Sequence, residues 1–225
     1  MDTSGSDAPL GLLGGTFDPI HLGHLRMAEE LGEALRLAEV RFLPSGTPPH
    51  RARPWASAAD RVAMTRLAIA GNPRFKLDEH ETHKTTPCYM ADTLRQLRAE
   101  LGSERPLILF LGADAFMGLT TWHEWRSLFD LAHLAVAHRP GFDPVTWQAA
   151  MPDPLLQALT RRRTEAAADL HSCPAGRIYM HAVTQLNIAA SRIRSHIQSG
   201  ASVRYLVPDA VLDYIERHTL YRKEP

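Results

Sequence analysis

Six short apolar runs punctuate the chain, each four to six residues long and bounded by turn residues: LGLL (10–13), VRFLP (40–44), RFKLD (74–78), LILFLG (107–112), LAVAH (134–138) and IYMHAV (178–183). Several are apolar at consecutive positions, as a strand buried on both faces requires. Between them lie stretches whose apolar residues fall three and four apart. One spans about His24 to Leu37 through Leu25, Ala28, Leu31 and Leu35. A second follows Ser57, an N-cap residue, through Val62, Leu67 and Ile69 to the stop signal GNP (71–73), and a third runs from about Ala91 to Leu101 and ends at Gly102. Strand and helix taking turns, with strands covered on both faces, predicts a doubly wound parallel α/β sheet.

In such sheets ligands bind beyond the carboxyl ends of the strands. The stretch GGTFDPIHLGH (14–24) falls there, after the first strand and at the opening of the first helix. Gly14 and Gly15 permit a sharp turn and let a phosphate approach backbone N–H groups. His21 and His24, three residues apart, share a helix face, and Gly23 between them leaves space for a bulky anion. The helix end adds partial positive charge and unpaired N–H donors. Together these groups describe a phosphate site, and one suited to extra negative charge developing on the phosphate. Fragments of the string also fit a plain turn, a histidine cap beside a surface histidine, or half of a metal site. The P-loop and dinucleotide glycine patterns are both absent. No third metal ligand stands nearby in sequence, so no protein metal site is expected.

Over 225 residues, 25 Lys and Arg balance 25 Asp and Glu, and no block of like charge exceeds Arg161–Arg163. This balance speaks against a nucleic-acid or membrane-surface partner, which would select a basic footprint. Any anionic ligand must be met locally. Two distant cysteines, Cys88 and Cys173, suggest neither a disulfide framework nor a cysteine zinc site. The leading MDTSGSDAP carries no signal pattern and no apolar run reaches membrane-spanning length, so a cytoplasmic location is expected. Residues 1–8 are expected to be disordered, and 9–222 to form one domain with a helical C-terminal part from about 188. The Pro-, Ala- and Arg-rich stretch 140–177 reads as a helical excursion. Homo-oligomerisation is left open.

GGTFDPIHLGH resembles the G-x-F-D-P-x-H-x-G-H motif of the nucleotidyltransferase superfamily, and IAASRIR (188–194) resembles in part its second element, I-S-S-T-x-I-R. PSGTPPHR (44–51), PCYMADTLRQLR (87–98), FLGADAF (110–116), TTWHEWRSL (120–128), AHRPG (137–141) and VPDAVLDYIERHTLYR (207–222) are similar to bacterial nicotinate-nucleotide adenylyltransferases. The resemblance covers about residues 8 to 222. It implies a Rossmann-like nucleotidyltransferase fold and transfer of the adenylyl group of ATP to nicotinate mononucleotide, with deamido-NAD and pyrophosphate as products.

By the same resemblance, His21, His24 and Arg194 are catalytic, with Arg194 in the first turn of the helix opened by AASRIR. Gly14, Gly15, Thr16, Phe17, Gly23, Gly112, Asp114 and Ser191 hold ATP and its phosphates. His50, Tyr89, Trp122, His123 and Arg139 line the nicotinate mononucleotide site. Asp114 also reads as a plain helix N-cap, and Trp122 as core packing. Magnesium is implied on the β- and γ-phosphates of ATP. Ala189 stands where the family commonly has Ser, and Met90 where it has Thr. These two departures leave room for a nucleotide-binding module without catalysis. An enzyme using nicotinamide mononucleotide is the other alternative. Acid is expected over amide, because backbone N–H donors accept a carboxylate better than a carboxamide.

Overall fold

All six apolar runs are strands. The structure, a computed structural model, describes residues 8–46, 54–84, 86–138, 144–184 and 186–222. In chain order the elements are β1 (Leu10–Gly15), α1 (Leu22–Ala34), β2 (Glu39–Pro44), α2 (Ala58–Ile69), β3 (Phe75–Leu77), α3 (Met90–Leu101), β4 (Leu107–Gly112), α4 (Ala113–Met117), α5 (Leu128–Leu131), β5 (His133–His138), α6 (Pro144–Ala149), α7 (Asp153–Arg162), β6 (Arg163–Thr164), β7 (Ile178–Ala182), α8 (Ala190–Ser199) and α9 (Asp209–Arg217). Short 3-10 turns occupy 119–121, 125–127 and 167–170. The strands pair in parallel throughout, in the order β3-β2-β1-β4-β5-β7-β6. β1 has β2 on one side, Leu10 opposite Glu39, and β4 on the other, Leu10 opposite Leu107. The strand order reverses between β1 and β4, which makes their carboxyl ends the switch point where a doubly wound sheet takes its ligand.

The two faces of the sheet carry separate cores, because successive side chains of a strand point to opposite faces. Along β4, Ile108 and Phe110 join a cluster with Leu31, Leu35, Met64, Val211 and Ile215, so that face is covered by α1, α2 and α9. Leu107, Leu109 and Leu111 join the other cluster with Leu94, Leu97, Phe129, Leu155 and Leu159, under α3, α5 and α7. Having both faces covered explains why β1, β4 and β5 read as nearly unbroken apolar runs.

The helical excursion expected at 140–177 is built from α6 and α7, and it also carries the two-residue strand β6. Residues 1–7 lie outside the described residues, whereas Ala8 is held: its carbonyl accepts a hydrogen bond from Arg105 Nε at 2.8 Å. Among the described residues no helix is long and apolar enough to cross a membrane.

Candidate active site

β1 extends to Gly15, paired with Pro44, so Gly14 and Gly15 lie within the strand and not in the turn expected there. The turn comes at Phe17, whose φ is 49°, and is followed by a cis Asp18–Pro19 bond. Close approach accounts for the glycines instead, tightly at Gly15 and, at Gly14, only against the movable end of one side chain. A Cβ on Gly14 would lie 2.7 Å from Met90 Cε, and one on Gly15 2.8 Å from Phe17 Cε1. Ser45 N–H donates to the Gly15 carbonyl at 2.8 Å, tying the ends of β1 and β2. Phe17 is buried and meets the His24 ring edge-on, with centroids 5.1 Å apart.

His21 is the N-cap of α1, in extended conformation, and His24 is the third residue of the helix. His24 Nδ1 accepts the His21 backbone N–H at 3.3 Å, the return half of a capping box. The two rings stack with centroids 3.6 Å apart and 20° between planes. A Cβ on Gly23 would lie 3.1 Å from His21 Nδ1, so the missing side chain makes room first for the imidazole, where space for an anion was expected.

Burial lowers the His21 pKa to about 4. His24 is held well below its ordinary value by burial first and by His21 second. Both imidazoles are therefore neutral near pH 7. Because His24 Nδ1 is an acceptor, its proton sits on Nε2, which makes that atom a donor. His21 Nδ1 is buried, and among the described residues it has no hydrogen-bond partner. Both rings stand in a dry setting, where the electrostatic effect of an N–H donor is larger than in water.

Arg194 is the fifth residue of α8, in its second turn and not its first, because the helix begins at Ala190 with Ala189 as N-cap. Its Nη1 donates to the Asp18 backbone carbonyl at 2.6 Å, which brings the second motif onto the first. Ser191 is exposed in the first turn, where the backbone N–H groups of a helix lack internal partners.

Asp18 was not singled out by the sequence, yet it organises this region. Its carboxylate accepts from Trp55 N–H at 2.8 Å, Ala56 N–H at 3.1 Å and the Tyr221 hydroxyl at 2.8 Å. Burial, with the Asp18 charge second, raises the Tyr221 pKa, so the phenol stays protonated and donates. Arg61 was also missed. Buried on α2, it donates to the Thr16 carbonyl at 2.7 Å and the Gly46 carbonyl at 3.2 Å, pinning the loops after β1 and β2 to one guanidinium. The F-D-P tripeptide and the buried face of α2 were the only signals for either residue.

On the neighbouring strand, Gly112 ends β4 and is itself the N-cap of α4. Asp114 is the second residue of that helix and exposed, so the cap reading fails for it. Tyr89 caps the start of α3 in extended conformation, and its ring lies 4.3 Å from that of His123. His123 is exposed beside Glu124, which pairs with Arg95 of α3. Trp122 ends a 3-10 turn and packs, half-buried, on the core under α3, so core packing accounts for part of it. Met90 opens α3 against Gly14, setting the Tyr89–His123 pair next to the end of β1. His50 and Arg139 lie outside the described residues.

Residues 12–196 match the family model described as Cytidylyltransferase-like, the class that a parallel sheet with two histidines at its switch point defines. The chain is 52% identical over 214 residues to a relative from Dechloromonas aromatica, covering 95% of this chain and 98% of the relative. It is 46% identical over 214 residues to one from Aeromonas hydrophila, with coverages of 95% and 97%. Both relatives are named probable nicotinate-nucleotide adenylyltransferase. Among solved structures, Plasmodium falciparum nicotinic acid mononucleotide adenylyltransferase complexed with NaAD shares the fold, with a TM-score of 0.71 at 17% identity over 95% of this chain and 97% of that one. The chain belongs to the nicotinate-nucleotide adenylyltransferase family.

Proposed function

We propose that this nicotinate-nucleotide adenylyltransferase works through its stacked histidine pair and Arg194, in a single in-line displacement. A phosphate oxygen of nicotinate mononucleotide attacks the α-phosphorus of ATP. The α–β bridging P–O bond breaks, and its electron pair leaves with pyrophosphate. Deamido-NAD is the other product. Such transfers depend on positioning and charge stabilisation more than on covalent help from the protein.

The observation that carries this reading is the neutral His21–His24 stack capping α1 at the switch point of the sheet. Charge developing around the α-phosphorus is met by the Nε2–H of His24 and by His21, with Arg194 on the same phosphates. The first turn of α8, including Ser191, supplies further N–H donors. Gly112 and Asp114 meet the nucleotide from the end of β4. The acceptor ring lies on the Trp122 side, near Tyr89 and His123. Acceptor selectivity for the acid over the amide is part of the same reading.

Magnesium belongs to the proposal as a companion of ATP. Among the described residues no three His, Cys, Asp or Glu side chains stand together as a metal cage. The donor set of the site is imidazole N–H, guanidinium and backbone N–H, which suits phosphate oxygens and not a hard cation. An ion carried on phosphate and water ligands fits these residues, and when bound it offsets negative charge on the departing pyrophosphate. A cytoplasmic location is supported by Cys88 and Cys173, which form no disulfide.

The test is magnesium-dependent pyrophosphate release from ATP, measured with nicotinate mononucleotide and separately with nicotinamide mononucleotide. Release that is fast with the acid and weak with the amide is expected. Equal rates with the two acceptors would overturn the selectivity, and no release with either would overturn the reaction.

A further inference from the structure

We infer that Trp55, outside both family motifs, is a positioning residue for Arg194 in the transfer reaction. The inference rests on the phosphate-gripping role proposed for Arg194. Trp55 leaves 58% of its surface in water, and a single exposed indole would by itself mean little. This one is held on two sides. Its backbone N–H is bound by the Asp18 carboxylate at 2.8 Å, and the Arg194 guanidinium carbon lies 5.5 Å from the centroid of its ring. Arg194 Nη1 is bound in turn by the Asp18 carbonyl at 2.6 Å. One residue of the first motif thus grips both the arginine of the second motif and the tryptophan that faces it.

The choice of an aromatic ring has a chemical reason. A carboxylate facing Arg194 would hold the guanidinium but neutralise it. The Asp18 carboxylate already supplies part of that hold, 3.7 Å from Nη1, while it also accepts from two N–H groups and a phenol. A π face attracts a cation without cancelling its charge. Trp55 therefore adds restraint on Arg194 in the resting enzyme without adding negative charge against which an arriving phosphate must compete. An arginine otherwise samples many rotamers, and each one excluded beforehand is one that substrate need not exclude.

The experiment compares kcat/KM for ATP at saturating nicotinate mononucleotide across Trp55→Ala, Trp55→Leu, Trp55→Phe, Arg194→Ala and Trp55→Ala/Arg194→Ala, all in the full chain. A cation–π contact at an exposed site predicts a fall of about two- to fivefold in Trp55→Ala and Trp55→Leu. Trp55→Phe should recover most of the loss. The KM for nicotinate mononucleotide and the thermal midpoint should stay put, because the ring is mostly in water. In the Arg194→Ala background, removing Trp55 should change nothing further. Equal activity of Trp55→Leu and Trp55→Phe, or an equal penalty for Trp55→Ala with and without Arg194, overturns the inference while leaving the role of Arg194 intact. Unchanged kcat/KM in Arg194→Ala overturns that role, and the inference with it.

Discussion

Acid should weaken this fold through His21 in a measurable way. In the unfolded chain its imidazole titrates at the ordinary 6.5, and in the folded protein at about 4, because burial disfavours the charged ring. Between these values the unfolded state binds more protons than the native one, so stability is present above pH 6.5 and is lost as pH falls through 4. For a single group with those two pKa values the loss from pH 7 to pH 5 is about 2 kcal/mol, approaching about 3 kcal/mol once both states are protonated. His24, stacked on it, shifts in the same direction and adds to the slope. Urea denaturation at pH 7, 6 and 5 on the native protein and on His21→Asn checks this. Asparagine is itself a favoured N-cap, so the variant keeps the helix start, and its decline with acid should be shallower by about 2 kcal/mol over that range. Parallel declines in the two proteins would show that His21 is not desolvated in the way its burial implies.

Asp18→Asn should cost about 2–4 kcal/mol in urea denaturation, because an amide cannot accept from two N–H groups and a phenol as a carboxylate does. Tyr221→Phe, which removes only one of those donors, should cost about 1 kcal/mol, and a cost equal to that of Asp18→Asn would refute the hub. Gly46→Ala should prevent stable folding, since its Cβ would stand 2.1 Å from the Glu81 carbonyl oxygen, whereas Gly14→Ala meets only the flexible end of Met90 and should fold. Expression and thermal melts of the two alanine variants decide between these outcomes, and equal damage at both sites would contradict the packing described. Arg61→Met should lower the thermal midpoint by several degrees and raise the KM for ATP, because the carbonyls of Thr16 and Gly46 lose their shared donor. A variant with wild-type stability and KM would remove Arg61 from this account.

Strands buried on both faces announce themselves by composition, and that is why β1, β4 and β5 were legible in the sequence, while β2, β3 and β7 showed as shorter apolar runs bounded by turn residues. β6 was not, since Arg163 and Thr164 have no apolar pattern to read. The end of α1 was overshot for the opposite reason. Leu35 and Leu37 are buried in the core and keep the helical spacing, but Arg36 takes φ 50° and Leu37 N–H turns back to the Gly32 carbonyl at 2.8 Å. Apolar periodicity reports burial, and burial outlasts the helix.

At the site, the two histidines could be read from a contiguous string, whereas their stacking and neutrality follow from the burial of both rings, which the string does not show. Asp18 stood in plain view inside that string, but its partners are Trp55, Ala56, Arg194 and Tyr221, up to 203 residues away. No local spacing encodes such a hub. Trp55 had no sequence signal at all, because one tryptophan after a proline-rich stretch looks like any other exposed aromatic.

The central claim is that the histidine stack stabilises the transition state of adenylyl transfer. The most direct measurement is the single-turnover rate with saturating ATP and nicotinate mononucleotide in His24→Ala and His24→Asn. Asparagine retains an acceptor for the His21 N–H but has no imidazole Nε2–H. A fall of about a hundred- to a thousandfold is expected in both variants, with a far-ultraviolet circular dichroism spectrum like that of the native protein. A His24→Asn rate within about threefold of the native one would contradict the claim and reduce His24 to a helix cap.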